Sequence, residues 1–211
     1  MRHKKHLFLC IAALFYPSYL CRRNWISPAS HYSIMCETKL IIYYQGKMNT
    51  TIVVYGSMTG TCEAIAEKIA KKLGCETLNV QDLTTDVVDN HQNLILGTST
   101  WGAGEMQDDW YDGLKVLQRA NLGGKTIALF GCGDCATYSD TFVGGIGELY
   151  NGIKESGAKF IGAVSTDGYT FDASEAIVDG KFIGLPLDGI NEDNMTDARI
   201  DAWIEDISAC L

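Results

Sequence analysis

The amino-acid sequence predicts an α/β protein built on a doubly wound parallel sheet. Short runs of apolar, often β-branched residues recur along the chain, as expected of strands that are buried on both faces. Helical patterns separate these runs, which indicates right-handed βαβ units. With 211 residues, the chain is long enough for one domain with an appendage but too short for two full enzyme domains.

The first strand and the first helix have the clearest patterns. Residues Thr51–Tyr55 are a continuous, largely β-branched run that predicts a buried strand. The helix that follows should place Ile65, Ile69 and Leu73 on its core face and end at Gly74. Its first turn would then lie just beyond the carboxyl end of the strand.

The remaining elements continue this alternation. Further strands are predicted over Asn93–Gly97, Lys125–Phe130 and Ala158–Val164. Further helices are predicted over about Asp108–Arg119, Thr141–Ser156 and Thr196–Ala209, the last with Thr196 as N-cap and Ile200, Ile204 and Ile207 facing inward. The segment 165–195 is rich in glycine and too irregular for a helix, so it predicts a loop-and-hairpin insertion.

Composition and charge exclude several classes of protein. A chain that is 46% hydrophobic and 20% charged is not intrinsically disordered. The net charge of -9 divides unevenly, because residues 1–47 hold seven basic side chains and one acidic one, whereas residues 48–211 hold ten basic and 25 acidic ones. A segment of charge −15 would repel nucleic acid and would suit a basic protein partner.

Residues 1–47 differ from the rest of the chain and have three possible interpretations. The apolar run 7–21 is interrupted by Pro17 and is too short for a membrane span, and no small-x-small cleavage site follows it. The stretch is either a product of start-site assignment with Met48 as the natural start, a targeting peptide, or an appendage. The five cysteines after residue 48 have irregular spacing, which favours reduced thiols and a cytoplasmic location.

Three loops fall where a parallel sheet binds ligands, at the carboxyl ends of its strands. The first, 57–62, combines hydroxyl side chains with a helix N-terminus and is either a phosphate cradle or a tight turn with an N-cap. It lacks the lysine of an NTPase P-loop and the glycine pattern of a dinucleotide site.

The other two loops bring aromatic residues to the same edge. Trp101 in the loop 99–105 is either packing or a stacking surface for a planar ligand, and Tyr138 follows the glycines of the loop 131–138. Cys132 and Cys135 form a C-x-x-C pair, but its place in a glycine-rich loop and the lack of further ligands argue against thioredoxin-like or zinc chemistry.

Taken in order, these loops resemble those of the flavodoxins, and the resemblance extends over residues 48–211. It rests on the stretches 55–61, 97–110 and 130–134, with Tyr138 and Phe142. The stretches 167–171, 182–187 and 193–200 look like the insertion of the long-chain branch. The resemblance implies a flavodoxin-like, five-stranded parallel sheet with an insertion in the region of its last strand. It also implies a monomeric electron carrier with non-covalently bound FMN, with no catalytic residue and no metal.

The resemblance also assigns residues to the cofactor. The FMN phosphate would be held by Ser57, Met58, Thr59, Gly60, Thr61 and Cys62. The isoalloxazine would lie between Trp101 and Tyr138, and would be lined by Thr100, Gly102, Ala103, Cys132, Gly133 and Asp134. Asp167 would reach the ribityl hydroxyls. Two cysteines depart from the family pattern, because Cys62 replaces a Thr or Ser and would be a poorer donor, and Cys135 replaces a polar residue.

The function implied is the low-potential transfer of single electrons. Acidic residues near the flavin, among them Asp108, Asp109 and Asp134, would disfavour the anionic, fully reduced cofactor. Reorientation of the Gly102–Ala103 peptide would stabilise the neutral one-electron-reduced flavin. The expected electron donors are a flavodoxin or ferredoxin reductase or a 2-oxoacid oxidoreductase, and the expected acceptors are reductases. We expect no binding to nucleic acid or to a membrane.

Three other functions compete with this interpretation. An FMN-dependent NAD(P)H:quinone-type reductase would need a nicotinamide site. A non-catalytic binding module is the second alternative, and it would be distinguished by a failure to bind FMN. A phospho-acceptor receiver domain would need carboxylates after the first strand, where this chain has Tyr55, Gly56 and Ser57.

Overall fold

A parallel sheet with helices on both faces forms the centre of the computed structural model, which describes residues 50–211. The interpretations of residues 1–47 and of Met48 lie outside the described residues. The five main positions of the sheet have the order fifth–fourth–third–first–second, and the fifth is shared by two short strands. The strands of this sheet are β1 (Thr51–Gly56), β2 (Glu76–Asn79), β3 (Asn93–Trp101), β4 (Glu105–Met106), β5 (Thr126–Cys132), β6 (Lys159–Ile161) and β10 (Leu185–Leu187).

Alternate residues of each central strand point to opposite faces, and two hydrophobic cores result. Ile52, Leu94 and Ile127 belong to one core, whereas their neighbours Val53 and Ile95 belong to the other. The helices that cover the faces are α1 (Thr61–Leu73), α2 (Thr85–Asn90), α3 (Trp110–Arg119), α4 (Gly144–Ile153) and α5 (Asp193–Ile207). A short 3₁₀ helix, Val80–Asp82, precedes α2. None of the helices between residues 50 and 211 combines the length and the apolarity of a membrane span.

Helix α1 forms where the sequence predicts it, because its local signals agree with its burial. Gly60 and Gly74 bound it in the left-handed conformation, and Ile65 and Ile69 are buried against the sheet. Burial of each of these isoleucines contributes about 1.5–3 kcal/mol to stability.

The fifth position of the sheet is divided. Strand β6 pairs with the first half of β5, from Thr126 to Ala128, and β10 pairs with its second half, from Phe130 to Cys132. The insertion between β6 and β10 holds a small antiparallel sheet of three strands, in which the last in sequence lies in the centre. Its strands are β7 (Val164–Ser165), β8 (Ile177–Val178) and β9 (Lys181–Phe182).

Some predicted boundaries were wrong. The chain leaves the sheet at Gly162, where φ is 78°, so Ala158–Val164 is not one strand. Strand β3 continues beyond Gly97 to Trp101, because β4 pairs with its end. Helix α5 begins at Asp193, so Thr196 is not its N-cap, and the buried Thr196 hydroxyl makes no hydrogen bond within the described part of the chain.

Candidate functional site

A cleft of about 340 Å³ opens at the carboxyl ends of the central strands. This is the edge at which ligands bind in open parallel sheets, and the volume lies within the range of small-molecule sites. Its walls come from the three loops that the sequence singles out and from a fourth loop after β10. The cleft is lined by Thr59, Thr61, Ser99, Thr100, Trp101, Gly102, Cys132, Gly133, Asp134, Tyr138, Thr141, Phe142, Val143, Gly189 and Ile190.

The loop between β1 and α1 forms one end of the cleft. The backbone N–H of Gly60 donates to the Ser57 hydroxyl at 3.1 Å, which fixes the turn. Gly60 has a φ of 87°, and this lets the chain enter α1 directly beside the cleft. Thr59 and Thr61 present side chains there, and Met58 is 59% exposed. With no Lys or Arg in the loop, an anion would be held by hydroxyls, backbone N–H groups and the helix dipole.

The side chain of Cys62 does not reach this end of the cleft. It is fully buried in the core, and its thiol lies beside that of Cys132. Burial, reinforced by that contact, raises the pKa of Cys62 well above its usual range. The weak thiol donor expected at a bound phosphate is therefore not in position, and only the backbone N–H of Cys62 remains for that role.

The loop between β3 and β4 supplies one aromatic wall. The Trp101 indole is 39% exposed, and its Nε1 donates to the Ser99 hydroxyl at 2.9 Å. Gly102 has a φ of 54°, and the N–H of Ala103 donates to the Glu105 carboxylate at 2.5 Å. A Cβ on Gly102 would clash with the same carboxylate. Ala103 itself is not among the residues that line the cleft.

The loop after β5 supplies the opposite wall. Tyr138 is 54% exposed, and Gly133 and Asp134 lie between it and the strand. The carboxylate of Asp134 accepts the N–H groups of Thr137 at 2.8 Å and Ala136 at 3.0 Å. These bonds lower the pKa of Asp134, and the bond from Thr137 has the largest effect. The loop is thus held in shape around a negative charge.

The C-x-x-C pair is divided between two environments. Cys132 lies beside Cys62, whereas Cys135 lies beside Asp188, whose carboxylate accepts the backbone N–H of Cys135 at 2.8 Å. Burial, followed by the neighbouring Asp188 carboxylate, raises the pKa of Cys135 to about 11. Cys135 is buried and does not line the cleft. Within residues 50–211, no three His, Cys, Asp or Glu side chains are grouped so as to hold a metal.

Asp167 does not line the cleft, and neither do Ser57, Met58, Gly60, Cys62 or Ala103. The Asp167 carboxylate accepts the Ser165 hydroxyl at 2.9 Å in the insertion, outside the lining. The residues that sequence reasoning missed include Gly189 and Ile190, which follow β10. Their signal was the short apolar strand 185–187, since a parallel strand delivers the residues after it to the binding edge.

Similarity to known proteins is consistent with this geometry. The family model described as Flavodoxin matches residues 53–203. Flavodoxin 1 of Azotobacter vinelandii is 44% identical over 159 residues, which cover 72% of this chain and 91% of the relative. The flavodoxin of Helicobacter pylori is 42% identical over 156 residues, covering 74% of this chain and 94% of the relative.

A solved structure has the same fold. The flavodoxin of Fusobacterium nucleatum bound to flavin mononucleotide superposes with a TM-score of 0.72 at 36% identity, over 77% of this chain and 98% of that one. The family match spans more than half of the chain and includes all three loops, and the chain therefore belongs to the flavodoxin family.

Proposed function

We propose that this protein is a low-potential carrier of single electrons that binds FMN non-covalently and shuttles between redox enzymes. As a member of the flavodoxin family it is an FMN-dependent electron-transfer protein rather than an enzyme. The observation that carries the proposal is the cleft itself, in which a neutral anion cradle at one end leads to a slot between two exposed aromatic rings.

The residues of the cleft fit the chemistry of FMN. A phosphate suits the hydroxyls and N–H groups at the start of α1, and a planar ring suits the space between Trp101 and Tyr138. The polar edge of the ring would meet the backbone of residues 132–134. The proposed contacts are Ser57, Met58, Thr59, Gly60, Thr61, the N–H of Cys62, Thr100, Trp101, Gly102, Ala103, Cys132, Gly133, Asp134 and Tyr138. The contact of Asp167 with the ribityl chain stays a prediction.

The acidity of the protein supports a low potential. FMN, when bound, supplies the ability to take up and release electrons one at a time. Asp134 lines the cleft, and Asp188 lies behind its wall with its pKa lowered to about 2, so both carboxylates are charged at neutral pH. Negative charge beside the cleft disfavours a further negative charge on the cofactor and therefore lowers the potential of the last reduction step.

The surface around the cleft supports transfer to protein partners. Tyr138 and Ile190 line the cleft and are 54% and 74% exposed, and Met58 in the loop between β1 and α1 is 59% exposed. We propose partners with a basic docking face, of the flavodoxin or ferredoxin reductase type or the 2-oxoacid oxidoreductase type as donors, and reductases as acceptors. We also propose that the protein is a cytoplasmic monomer and that residues 48–211 form its functional domain. The insertion between β6 and β10 supports its assignment to the long-chain branch.

Titration of the full-length apoprotein with FMN tests the cofactor assignment. One equivalent should bind, and stacking on Trp101 and Tyr138 should quench the flavin fluorescence. NADPH added alone should leave the bound flavin oxidised, and a flavodoxin reductase should then allow its reduction. Bleaching by NADPH without a reductase would favour a quinone-type reductase, and failure to bind FMN would leave only a binding module.

A further inference from the structure

One side-chain amide joins two carboxylates that belong to different walls of the cleft. The Nδ2 of Asn191 donates to Asp134 Oδ1 at 2.8 Å and to Asp188 Oδ2 at 2.8 Å. An amide nitrogen has two hydrogens, so each carboxylate receives one of them. Asn191 follows β10, whereas Asp134 follows β5, so this bridge crosses between the two loops.

Each of these carboxylates organises its own loop. Asp188 accepts the backbone N–H groups of Ile190 at 2.8 Å and Asn191 at 2.9 Å, and that of Cys135 at 2.8 Å from the other loop. Asp134 accepts N–H groups of the turn that leads to Tyr138, as described above. The bridge therefore connects the loop that carries the exposed Tyr138 with the loop that carries the exposed Ile190.

Two like charges face each other across this bridge. Burial alone would raise the pKa of Asp188, but hydrogen bonds from Cys135 and Asn191 outweigh it and lower the pKa to about 2. Neither carboxylate is paired with a basic side chain in the part of the chain that the structure describes. Loss of the Asn191 amide would leave the two carboxylates to repel each other across the gap between the loops.

We propose that Asn191 is a positioning residue that sets the separation of these two walls and thereby the affinity for the ring end of the flavin. The inference rests on the proposed FMN function. Because the bridge lies at the Asp134 end and not at the loop between β1 and α1, its loss should weaken binding of the isoalloxazine without affecting the phosphate contacts.

A comparison of FMN with riboflavin, which lacks the phosphate, separates the two ends. Asn191→Ala in the full-length protein should raise the Kd of both flavins by the same factor, about 10-fold, since two charge-assisted hydrogen bonds are lost and partly replaced by water. Asn191→Ser, which keeps one donor, should give a smaller rise. Thr59→Ala should weaken FMN but leave riboflavin unchanged.

The control is Asn194→Ala, an exposed amide on α5 outside the cleft, which should leave both Kd values unchanged. Thermal unfolding of each apoprotein is measured alongside, and equal losses for the two flavins by folded Asn191 variants support the proposal. Unchanged Kd values in Asn191→Ala, a loss confined to FMN, or a variant too unfolded to bind at all would overturn a positioning role. If the wild type binds neither flavin, it is the proposed function that fails.

Discussion

Replacement of Asp188 by Asn should destabilise the protein strongly at neutral pH and much less in acid. The Asp188 side chain is fully buried and accepts hydrogen bonds from three backbone N–H groups and from the side chain of Asn191. These bonds lower its pKa from an ordinary 3.8 to about 2, despite the opposing effect of burial. The difference corresponds to about 2 kcal/mol of stability that depends on the charge. In the variant, the NH₂ group of the new amide would also face backbone N–H donors with which it cannot form a hydrogen bond.

The sign of the pH dependence follows from the lowered pKa. The contribution of Asp188 is fully present above the unfolded value of 3.8 and is lost as the pH falls through the folded value of about 2. Urea unfolding of the apoproteins should therefore show a constant gap of about 2 kcal/mol or more between pH 7 and 5, and the gap should narrow below pH 4. This gap corresponds to a fall in Tm of about 4–8 °C.

Asp108→Asn is the matched control, because Asp108 is exposed and its charge should matter little to stability. Equal effects of the two substitutions, or a gap for Asp188→Asn that is undiminished at pH 3, would refute the assignment of a buried, charged carboxylate.

Three further substitutions test individual parts of the site. Trp101→Leu should weaken FMN binding at least 10-fold and restore part of the flavin fluorescence; unchanged quenching would show that the indole, 39% exposed, is not the stacking surface. Cys62→Ser should lower the unfolding free energy by about 1–3 kcal/mol without tightening FMN binding, because its side chain faces the core; tighter FMN binding in a fluorescence titration would contradict this orientation. Gly102→Ala should lower the unfolding free energy in urea by about 1–2 kcal/mol, because φ is 54° and the new Cβ meets the Glu105 carboxylate; wild-type stability would contradict the strain.

The sequence predicted the strands in the middle of the sheet more closely than those at its edges, since β2 was not predicted and the strand predicted over 158–164 contains β6 but continues beyond its end. Strands β1, β3 and β5 are apolar runs buried on both faces. Strand β2, Glu76–Asn79, is an edge strand with no fully buried residue, so it lacks the apolar run that marks the others. The fifth strand is broken at Gly162, where the Trp203 indole packs and donates to the Gly162 carbonyl at 2.8 Å. That contact joins residues 41 positions apart, so no local pattern encodes it.

In the site too, the features set by local sequence were predictable and those set by long-range contacts were not. Its three loops were predicted because each comes directly after a recognisable strand. The orientation of Cys62 was also encoded, since Cys62 shares the helical spacing of Ile65 and Ile69 and therefore faces the core with them. The bridge through Asn191 was not predictable, because it requires two loops 57 residues apart to meet.

A redox titration of the FMN-loaded, full-length protein shows whether the bound flavin takes up electrons one at a time. We expect two well-separated one-electron steps, the second at low potential because of the negative charge around the cleft. A single two-electron step would contradict it and would favour a two-electron flavoenzyme.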